Sequence, residues 1–317
     1  MVPHDQETVS RDRVEDFQRA RIVSAMVEVA SELGYLGAAV APVVARAGVS
    51  RRTFYELFDG REDCFLAAFD WGVRQAHETM LEAYASQHSW RDRVRCALAA
   101  LLRMLDLEPE LARLCVIEAL GAGRLVLARR TQISDELVAA LEAKAPRPRG
   151  GTSALPLLTA EGVVGGAFSV IHGRLLDPDA GPLIELHGQL MALIALPYLG
   201  PSAAGEELTR SAPETPPREI ASARADRGGG RLLEKLDMRL TYRTVRCLVF
   251  IAEHPGSSNR EVARGGEIPD EGQASKLLAR LVKLDLIANS RSPGPGFPNR
   301  WTLTEHGQQV LGAVQRR

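Results

Sequence analysis

Apolar residues recur at helical spacing in the N-terminal part of the chain, and short polar turns interrupt them. One run extends from Asp16 to Leu33 and is ended by Gly34; its apolar positions are Ile22, Met26, Val29, Ala30 and Leu33. A Gly-Val-Ser turn at 48–50 then separates two short segments, and a longer periodic run begins near Arg61. This pattern predicts two short helices joined by a tight turn, held between two longer helices.

The middle of the chain, residues 89–199, is predicted to be helical almost throughout. Its last two segments, 159–176 and 182–199, are apolar around most of their circumference and rich in glycine and alanine. A helix of that composition must be buried, either against its own domain or against a second copy of the chain.

A change of composition marks a boundary after the middle segment. Residues 201–230 contain four prolines, several glycines and alternating charges, with too little apolar surface to fold. We therefore predict a flexible linker at 201–230, and a flexible polar arm at 1–15.

Capping signals reappear in the C-terminal segment, residues 231–317. Ser258 with Glu261, and Asp270 with Gln273, have the spacing of capping boxes that start helices. Two alternating segments, "LIANS" and "NRWTL", then read as strands around a Pro/Gly-rich loop, and a last helix follows. Three helices and a two-stranded flap predict a winged helix.

Composition and charge narrow the class of protein. The 317 residues are 45% hydrophobic and 25% charged, without a long uncharged apolar stretch or a secretory leader, so we expect a cytoplasmic protein and no membrane span. Four scattered cysteines are typical of reduced core thiols. Net charge is −1 overall, but residues 227–317 hold 15 Lys/Arg against 9 Asp/Glu. That surplus indicates an anionic partner for the C-terminal segment, although a charged face can also be simply solvated.

The helix after the first tight turn has the composition of a DNA-reading helix. Phe54, Leu57 and Phe58 share one side and would attach the helix to a core. The opposite side offers guanidinium groups, which can pair with guanine, and hydroxyls, which suit phosphates or base edges. The predicted DNA-binding residues are Arg51, Arg52, Thr53, Tyr55 and Arg61.

The C-terminal segment repeats this design in its third helix. Ala274, Leu277, Leu278 and Leu281 would form the buried side. The residues predicted to face DNA from this second head are Gln273, Ser275, Lys276 and Arg280 on the helix, with Arg291 and Arg300 flanking the wing. Many winged helices bind proteins instead, so a protein-docking role remains open.

No pattern for catalysis accompanies these features. Nucleophile elbows, phosphate loops and dinucleotide fingerprints are absent, and His172 and His187 have no partner at metal-ligand spacing. We expect hydrogen-bonded core histidines, no metal, no cofactor and no enzyme. An effector cavity would be lined by residues such as Leu102, Met104, Leu114, Ile117 and Phe168, which would equally make a plain core, so no pocket is assigned.

"AGVSRRTFYELFDGREDCF", from Ala47 to Phe65, resembles the signature of the TetR-type bacterial repressors, and the resemblance extends from Asp16 to about Phe69. It implies a DNA-binding domain at 16–86 and a helical domain at 87–200 that dimerises and binds a small, apolar effector. It also implies that Arg61 stands where the family usually has a phosphate-binding lysine. Glu56 departs from the family pattern, because it places a carboxylate at a position where a basic residue would favour DNA binding.

The C-terminal segment from Leu232 to Val314 resembles the MarR-like winged helices. The expected fold class is mainly α: a TetR-like helical dimer with a small winged-helix domain. The expected function is a sequence-specific, ligand-responsive homodimeric repressor on a palindromic operator in double-stranded DNA. The alternatives are a regulator whose winged helix docks a protein partner, and an effectorless architectural DNA-binding protein.

Overall fold

The computed structural model describes residues 4–143, 145–146, 158–177, 179–214, 242–290 and 299–315; the side chains of 4–14, 17, 242 and 313–315 are outside this description. Tertiary contacts divide the described residues into two compact units. One draws on the ranges 1–25, 40–59 and 220–317, and the other on 26–39 and 60–219. Among the described residues, no helix combines the length and the apolarity needed to cross a bilayer.

Three helices form the N-terminal region: α1 (His4–Gly37), α2 (Val40–Ala47) and α3 (Arg51–Leu57). The last turn of α1 is broken at Gly34, whose φ of 71° lies in the left-handed region that favours glycine. The prediction of a flexible arm over 1–15 is wrong for the residues from His4 onward, because α1 already begins there. Its first turns carry few apolar residues, so hydrophobic periodicity could not reveal them.

The regular elements in the described part of the second unit are all helical. The elements are α4 (Arg61–Ala85), α5 (Trp90–Leu107), α6 (Pro109–Ala112), a π turn (Arg113–Ile117), a 3₁₀ turn (Glu118–Leu120), α7 (Arg124–Ala143), α8 (Thr159–Leu176), a 3₁₀ turn (Leu183–Leu186), α9 (His187–Leu199) and α10 (Pro201–Thr209). Fully buried side chains such as Phe65, Leu102, Leu111, Leu114 and Met191 form its core. The segment at 109–120, which lies in the region predicted to be helical almost throughout, changes from α to π to 3₁₀ geometry.

The start of the predicted linker is also wrong. Residues 201–209 form α10, which packs against α9, and Glu207 on it is fully buried. Pro201 occupies the first turn, where its missing N–H costs nothing. The carboxylate of Glu207 pairs with Arg95 and Arg91 on α5, which makes its burial possible. Residues 215–230 of the predicted linker lie outside the described residues.

The C-terminal elements appear in the predicted order: α11 (Tyr242–Glu253), α12 (Asn259–Gly265), α13 (Glu271–Lys283), β1 (Ile287–Asn289), β2 (Trp301–Leu303) and α14 (Glu305–Gln315). The two strands are antiparallel, with Ala288 opposite Thr302. The capping box of Ser258 and Glu261 is formed, and Asp270 caps α13 by accepting the N–H of Gly272. Leu248, Ile251, Leu278, Leu281 and Trp301 are buried together in the core of this segment.

The four cysteines are free thiols. Cys64 and Cys247 are buried, and burial raises the pKa of the Cys247 thiol to about 11. A thiol with so high a pKa remains protonated and unreactive at neutral pH.

Candidate DNA-binding surfaces

Helix α3 is fixed to its own unit by its apolar side and by both ends. Phe54 and Phe58 are buried, with ring centroids 5.6 Å apart. Ser50 Oγ accepts the backbone N–H of Thr53 at 3.0 Å and caps the N-terminus. At the other end, Arg19 on α1 donates from Nη1 to the carbonyl of Leu57 at 2.9 Å. The helix is therefore a rigid support for its outward side chains.

That outward side is exposed and carries the predicted residues. Arg51, Arg52 and Tyr55 are exposed, the last with 59% of its surface accessible. Arg52 is not free, since its Nε lies 2.8 Å from Glu56 Oε1, one helical turn away. Three of the four residues predicted on α3 thus share an accessible surface, and one of the two guanidiniums carries an intrahelical counter-ion.

Thr53 has a different position from its neighbours. It is half-buried, and its Oγ1 lies 2.9 Å from Ser50 Oγ, so its hydroxyl takes part in the cap of α3. A phosphate oxygen only accepts, so a contact from this hydroxyl to a phosphate would require Ser50 to be the donor in the pair and the Thr53 proton to be available.

Arg61 begins α4 in the other unit and is half-buried. Its guanidinium lies 4.3 Å from the centroid of the Tyr35 ring, and its Nη1 donates to the carbonyl of Leu36 at 3.3 Å. These contacts hold the group in one orientation and leave other N–H groups for an anion.

Two residues that support α3 were not predicted. Arg19 also stacks on the Phe58 ring, with its guanidinium carbon 4.4 Å from the centroid. Arg21 fills the space beside Gly48, where a Cβ would lie 2.8 Å from its Nη2. Both arginines are separated from α3 by more than 25 residues, and nothing in their local sequence distinguishes them from surface charges.

The C-terminal segment presents a second polar surface. Gln273, Ser275, Lys276 and Arg280 are all exposed on α13. On the opposite side Ala274, Leu278 and Leu281 are buried, as the spacing predicts, while Leu277, expected with them, is half-buried. Arg300, directly before β2, is exposed as well. Arg291 lies outside the described residues.

Of the two histidines expected to be hydrogen-bonded core residues, His187 matches the expectation, whereas His172 is only half-buried. His187 is buried with 1% of its surface exposed, and its Nε2 lies 3.0 Å from the carbonyl oxygen of Arg95. Burial lowers the pKa of this imidazole. Within the described ranges no three His, Cys, Asp or Glu side chains are grouped as metal ligands.

The suggested effector-lining residues divide by burial. Leu102, Met104 and Leu114 are buried, whereas Ile117 and Phe168 are half-buried. The guanidinium of Arg130 lies 5.6 Å from the Phe168 ring. This arrangement is compatible with both a core and a cavity wall.

The N-terminal region that contains α2 and α3 matches a known protein family. Residues 22–68 match the model of a family described as bacterial regulatory proteins, tetR family. These residues, which include α2 and α3, are therefore similar to the N-terminal domain of that family. The match supports a helix-turn-helix, DNA-binding transcriptional regulator, and the matched range contains Arg51, Arg52, Thr53, Tyr55 and Arg61.

Three solved structures resemble the chain at 18% identity each. They are the fatty acid degradation regulator FadR from Bacillus halodurans (TM-score 0.49), the transcriptional regulator FadR from Bacillus subtilis in complex with stearoyl-CoA (0.47), and a TetR-like transcriptional regulator from Rhodococcus sp. RHA1 (0.45). Each alignment covers 55–56% of this chain and 94–96% of the other. No curated protein matches the sequence.

Proposed function

We propose that this chain is a sequence-specific transcriptional repressor that acts as a homodimer, responds to a small ligand and contacts DNA with two heads. The observation that carries the proposal is the exposed surface of Arg51, Arg52 and Tyr55 on a helix that Phe54, the Ser50 cap and Arg19 hold rigid. A rigid, short helix with guanidiniums on its free side suits entry into the major groove.

An apolar face on α8 and α9 supports the homodimer. On α8 the exposed positions Gly162, Gly165, Val170, Gly173 and Leu176 recur at helical spacing, and on α9 Leu193 and Leu196 are exposed. The two stripes are adjacent, because a Cβ at Gly166 would lie 3.4 Å from Leu193 Cδ2. A Cβ at Gly162, Gly165 or Gly173 would meet nothing within 4 Å. An exposed apolar face this long, with room for close helix approach, is typical of a protein interface.

We further propose that the C-terminal segment is a winged helix whose recognition helix is α13. The helix order, the antiparallel pair β1–β2 and the exposed Lys276, Arg280 and Arg300 support this interpretation. A protein-docking role is the competing hypothesis. Point variants on α13 separate the two, because DNA contact predicts a shorter footprint for Lys276→Ala/Arg280→Ala and protein docking predicts an unchanged one.

Two carboxylates support ligand response, since they link the elements adjoining α3 to the helical domain. Glu118, in the 3₁₀ turn after the π segment, accepts the backbone N–H of Tyr35 at 2.8 Å. Glu62 on α4 accepts the N–H of Leu125 at 3.0 Å, at the start of α7. A ligand that shifts the 109–120 segment would therefore move the end of α1 through a direct hydrogen bond.

The deciding experiment is a footprint of the full-length protein on DNA upstream of its own gene. Arg51→Ala is expected to cost about 1–3 kcal/mol of binding free energy, the range for one bidentate contact to a base. Arg74→Ala, which removes an exposed arginine from α4, is the control for loss of charge. Equal binding by both variants, or no protected sequence at all, would refute the proposal.

A further inference from the structure

Asn259, the first residue of α12, contacts both the recognition helix and the strand pair. Its Oδ1 accepts the indole Nε1–H of Trp301 on β2 at 2.6 Å and the side-chain amide of Asn299 at 3.2 Å. Its Nδ2 points to Ser275 Oγ on α13 at 3.4 Å. Because an indole nitrogen only donates, the atom facing Trp301 must be the amide oxygen, and this fixes the Asn259 amide in one orientation.

The hydrogen-bonded chain continues from Asn259 to the backbone of Arg300. Asn299 Oδ1 accepts from Asn289 Nδ2 at 2.8 Å, and Asn289 Oδ1 accepts the backbone N–H of Arg300 at 3.1 Å. Three amides in sequence therefore join α12 to the residue that carries the exposed wing guanidinium. Each side-chain amide donates to one neighbour and accepts from the other, so every hydrogen bond in the series has a fixed donor and acceptor.

Main-chain pairing holds the same strand from its other edge. Trp301 donates its N–H to the carbonyl of Ser257 at 3.0 Å, and Gly256 donates to the carbonyl of Trp301 at 2.8 Å. These bonds fix β2 beside α12, but they do not reach α13. Among the contacts described here, the Asn259 side chain is what joins β2 to Ser275.

We propose that Asn259 is a positioning residue for the second head: it sets the separation between Ser275 on the recognition helix and Arg300 on the wing. This rests on the proposed DNA-binding function of the C-terminal segment. Helix and wing must reach two different grooves of one duplex, so their mutual position controls whether both contacts form at once. Asn259 itself needs no contact with DNA for this role.

The test is a double-mutant cycle in the full-length protein, with affinity for the footprinted operator measured at several salt concentrations. Arg300→Ala is expected to weaken binding and to reduce the salt slope by about one, as loss of one phosphate contact does. Asn259→Ala is expected to do the same, on the order of threefold to tenfold in affinity. The double variant is expected to bind about as well as either single variant, because the second change removes a contact already lost.

The control and a second variant guard against simple misfolding. Gln308→Ala removes an exposed amide from α14 in the same segment and is expected to leave both affinity and salt slope unchanged. Trp301→Phe keeps a large ring at the buried position but deletes the donor to Asn259. It should reproduce the loss of salt slope even if Asn259→Ala unfolds the segment.

The outcomes are distinct. If Arg300→Ala weakens binding while Asn259→Ala and Trp301→Phe do not, the positioning role of Asn259 is refuted, but the proposed DNA binding by the C-terminal segment is supported. The same holds if the Asn259→Ala and Arg300→Ala effects multiply. If Arg300→Ala and Lys276→Ala/Arg280→Ala are all silent, the DNA-binding function of the segment fails, and the inference fails with it.

Discussion

Gly48 and Glu267 occupy the same position in two turns of the same kind, one between α2 and α3 and the other between α12 and α13. In each, the residue has a positive φ, 63° for Gly48 and 50° for Glu267. In each, its N–H bonds three residues back and the next N–H bonds five residues back: Gly48 to Ala45 and Val49 to Val44, Glu267 to Arg264 and Ile268 to Ala263. This is the Schellman arrangement that ends a helix and allows a sharp change of direction.

Gly48→Ala is therefore expected to destabilise the first unit. An L-residue in the left-handed region costs about 1–2 kcal/mol, and here a Cβ would also lie 2.8 Å from Arg21 Nη2. Denaturant unfolding measures the loss. Gly205→Ala is the matched control, because that glycine is exposed on α10, outside the α8–α9 stripe, and its Cβ would meet nothing within 4 Å. If Gly48→Ala is as stable as this control, the turn does not constrain the head.

Glu56→Ala is expected to increase affinity for DNA. The substitution removes a carboxylate from the α3 surface and releases Arg52 from a pair at 2.8 Å. Stability should change little, since both partners are exposed and solvent screens such a surface pair. Binding is measured as a function of salt, where a released guanidinium that reaches a phosphate adds about one to the slope.

The control for this prediction is the double variant Arg52→Ala/Glu56→Ala, which lacks the released guanidinium. This double variant lacks the Glu56 carboxylate, as Glu56→Ala does, but it should not show the increase in salt slope. Weaker binding by Glu56→Ala would contradict the prediction and would point instead to Glu56 as an acceptor for a base, since carboxylates accept from cytosine N4.

Local signals in the sequence determine much of this fold, and the turns show why. Gly48, the capping box at Ser258 and the spacing of Ala274, Leu278 and Leu281 act over a few residues, so a single sequence reveals them. Asp285, directly after α13, also has a left-handed backbone, with a φ of 55°.

Long-range partners explain what could not be predicted. Residues 201–209 have the charged, weakly apolar composition of a linker. The charged Glu207 among them is nevertheless buried, because it pairs with Arg95, which lies 112 positions earlier in the sequence. Likewise Arg19 supports α3 from 38 positions away, and Asn259 reaches Trp301 over 42 positions. Ion pairs and amide chains of this kind produce no periodic pattern in the sequence, whereas the buried side of a helix produces a regular spacing of apolar residues.

Glu207→Gln should destabilise the helical domain strongly. It leaves the guanidinium of Arg95, which is 2% exposed, in the interior without its countercharge. Removing one partner of a buried pair typically costs about 3–5 kcal/mol. Thermal and denaturant unfolding measure the change.

Glu206→Gln is the matched control for that variant. Its carboxylate pairs with Arg91 at 2.8 Å but is 61% exposed, so the expected loss is about 1 kcal/mol or less. Similar losses at the two neighbouring positions would show that the burial of Glu207 does not stabilise the docking of α10.

Val170→Glu is expected to convert the proposed dimer into a monomer. Val170 is 41% exposed on the α8 stripe, so the carboxylate is hydrated in a single chain but would be buried between two copies. Light scattering or sedimentation gives the mass. Leu208→Glu, at an apolar residue of α10 that is 60% exposed, is the control and should remain dimeric. A dimeric Val170→Glu would exclude α8 as the interface.

Protonation of His187 is expected to make stability fall in mild acid. Burial lowers the pKa of its imidazole below the ordinary value, so below about pH 6.5 the unfolded chain binds a proton that the folded chain does not. The free energy of unfolding therefore decreases as pH falls through that value, by up to about 1.4 kcal/mol per pH unit for this one group, and is unaffected above it.

His187→Gln tests this assignment, because glutamine keeps a donor for the carbonyl of Arg95 but does not titrate. The free energy of unfolding is measured between pH 5 and 7.5 for wild type and variant, with His88→Gln, at an exposed position, as the control for loss of a histidine. The wild-type curve should be steeper than the His187→Gln curve below pH 6.5 and parallel to it above. Parallel curves over the whole range would mean that His187 accepts a proton in the folded state as readily as in the unfolded one, and that its burial has no electrostatic consequence.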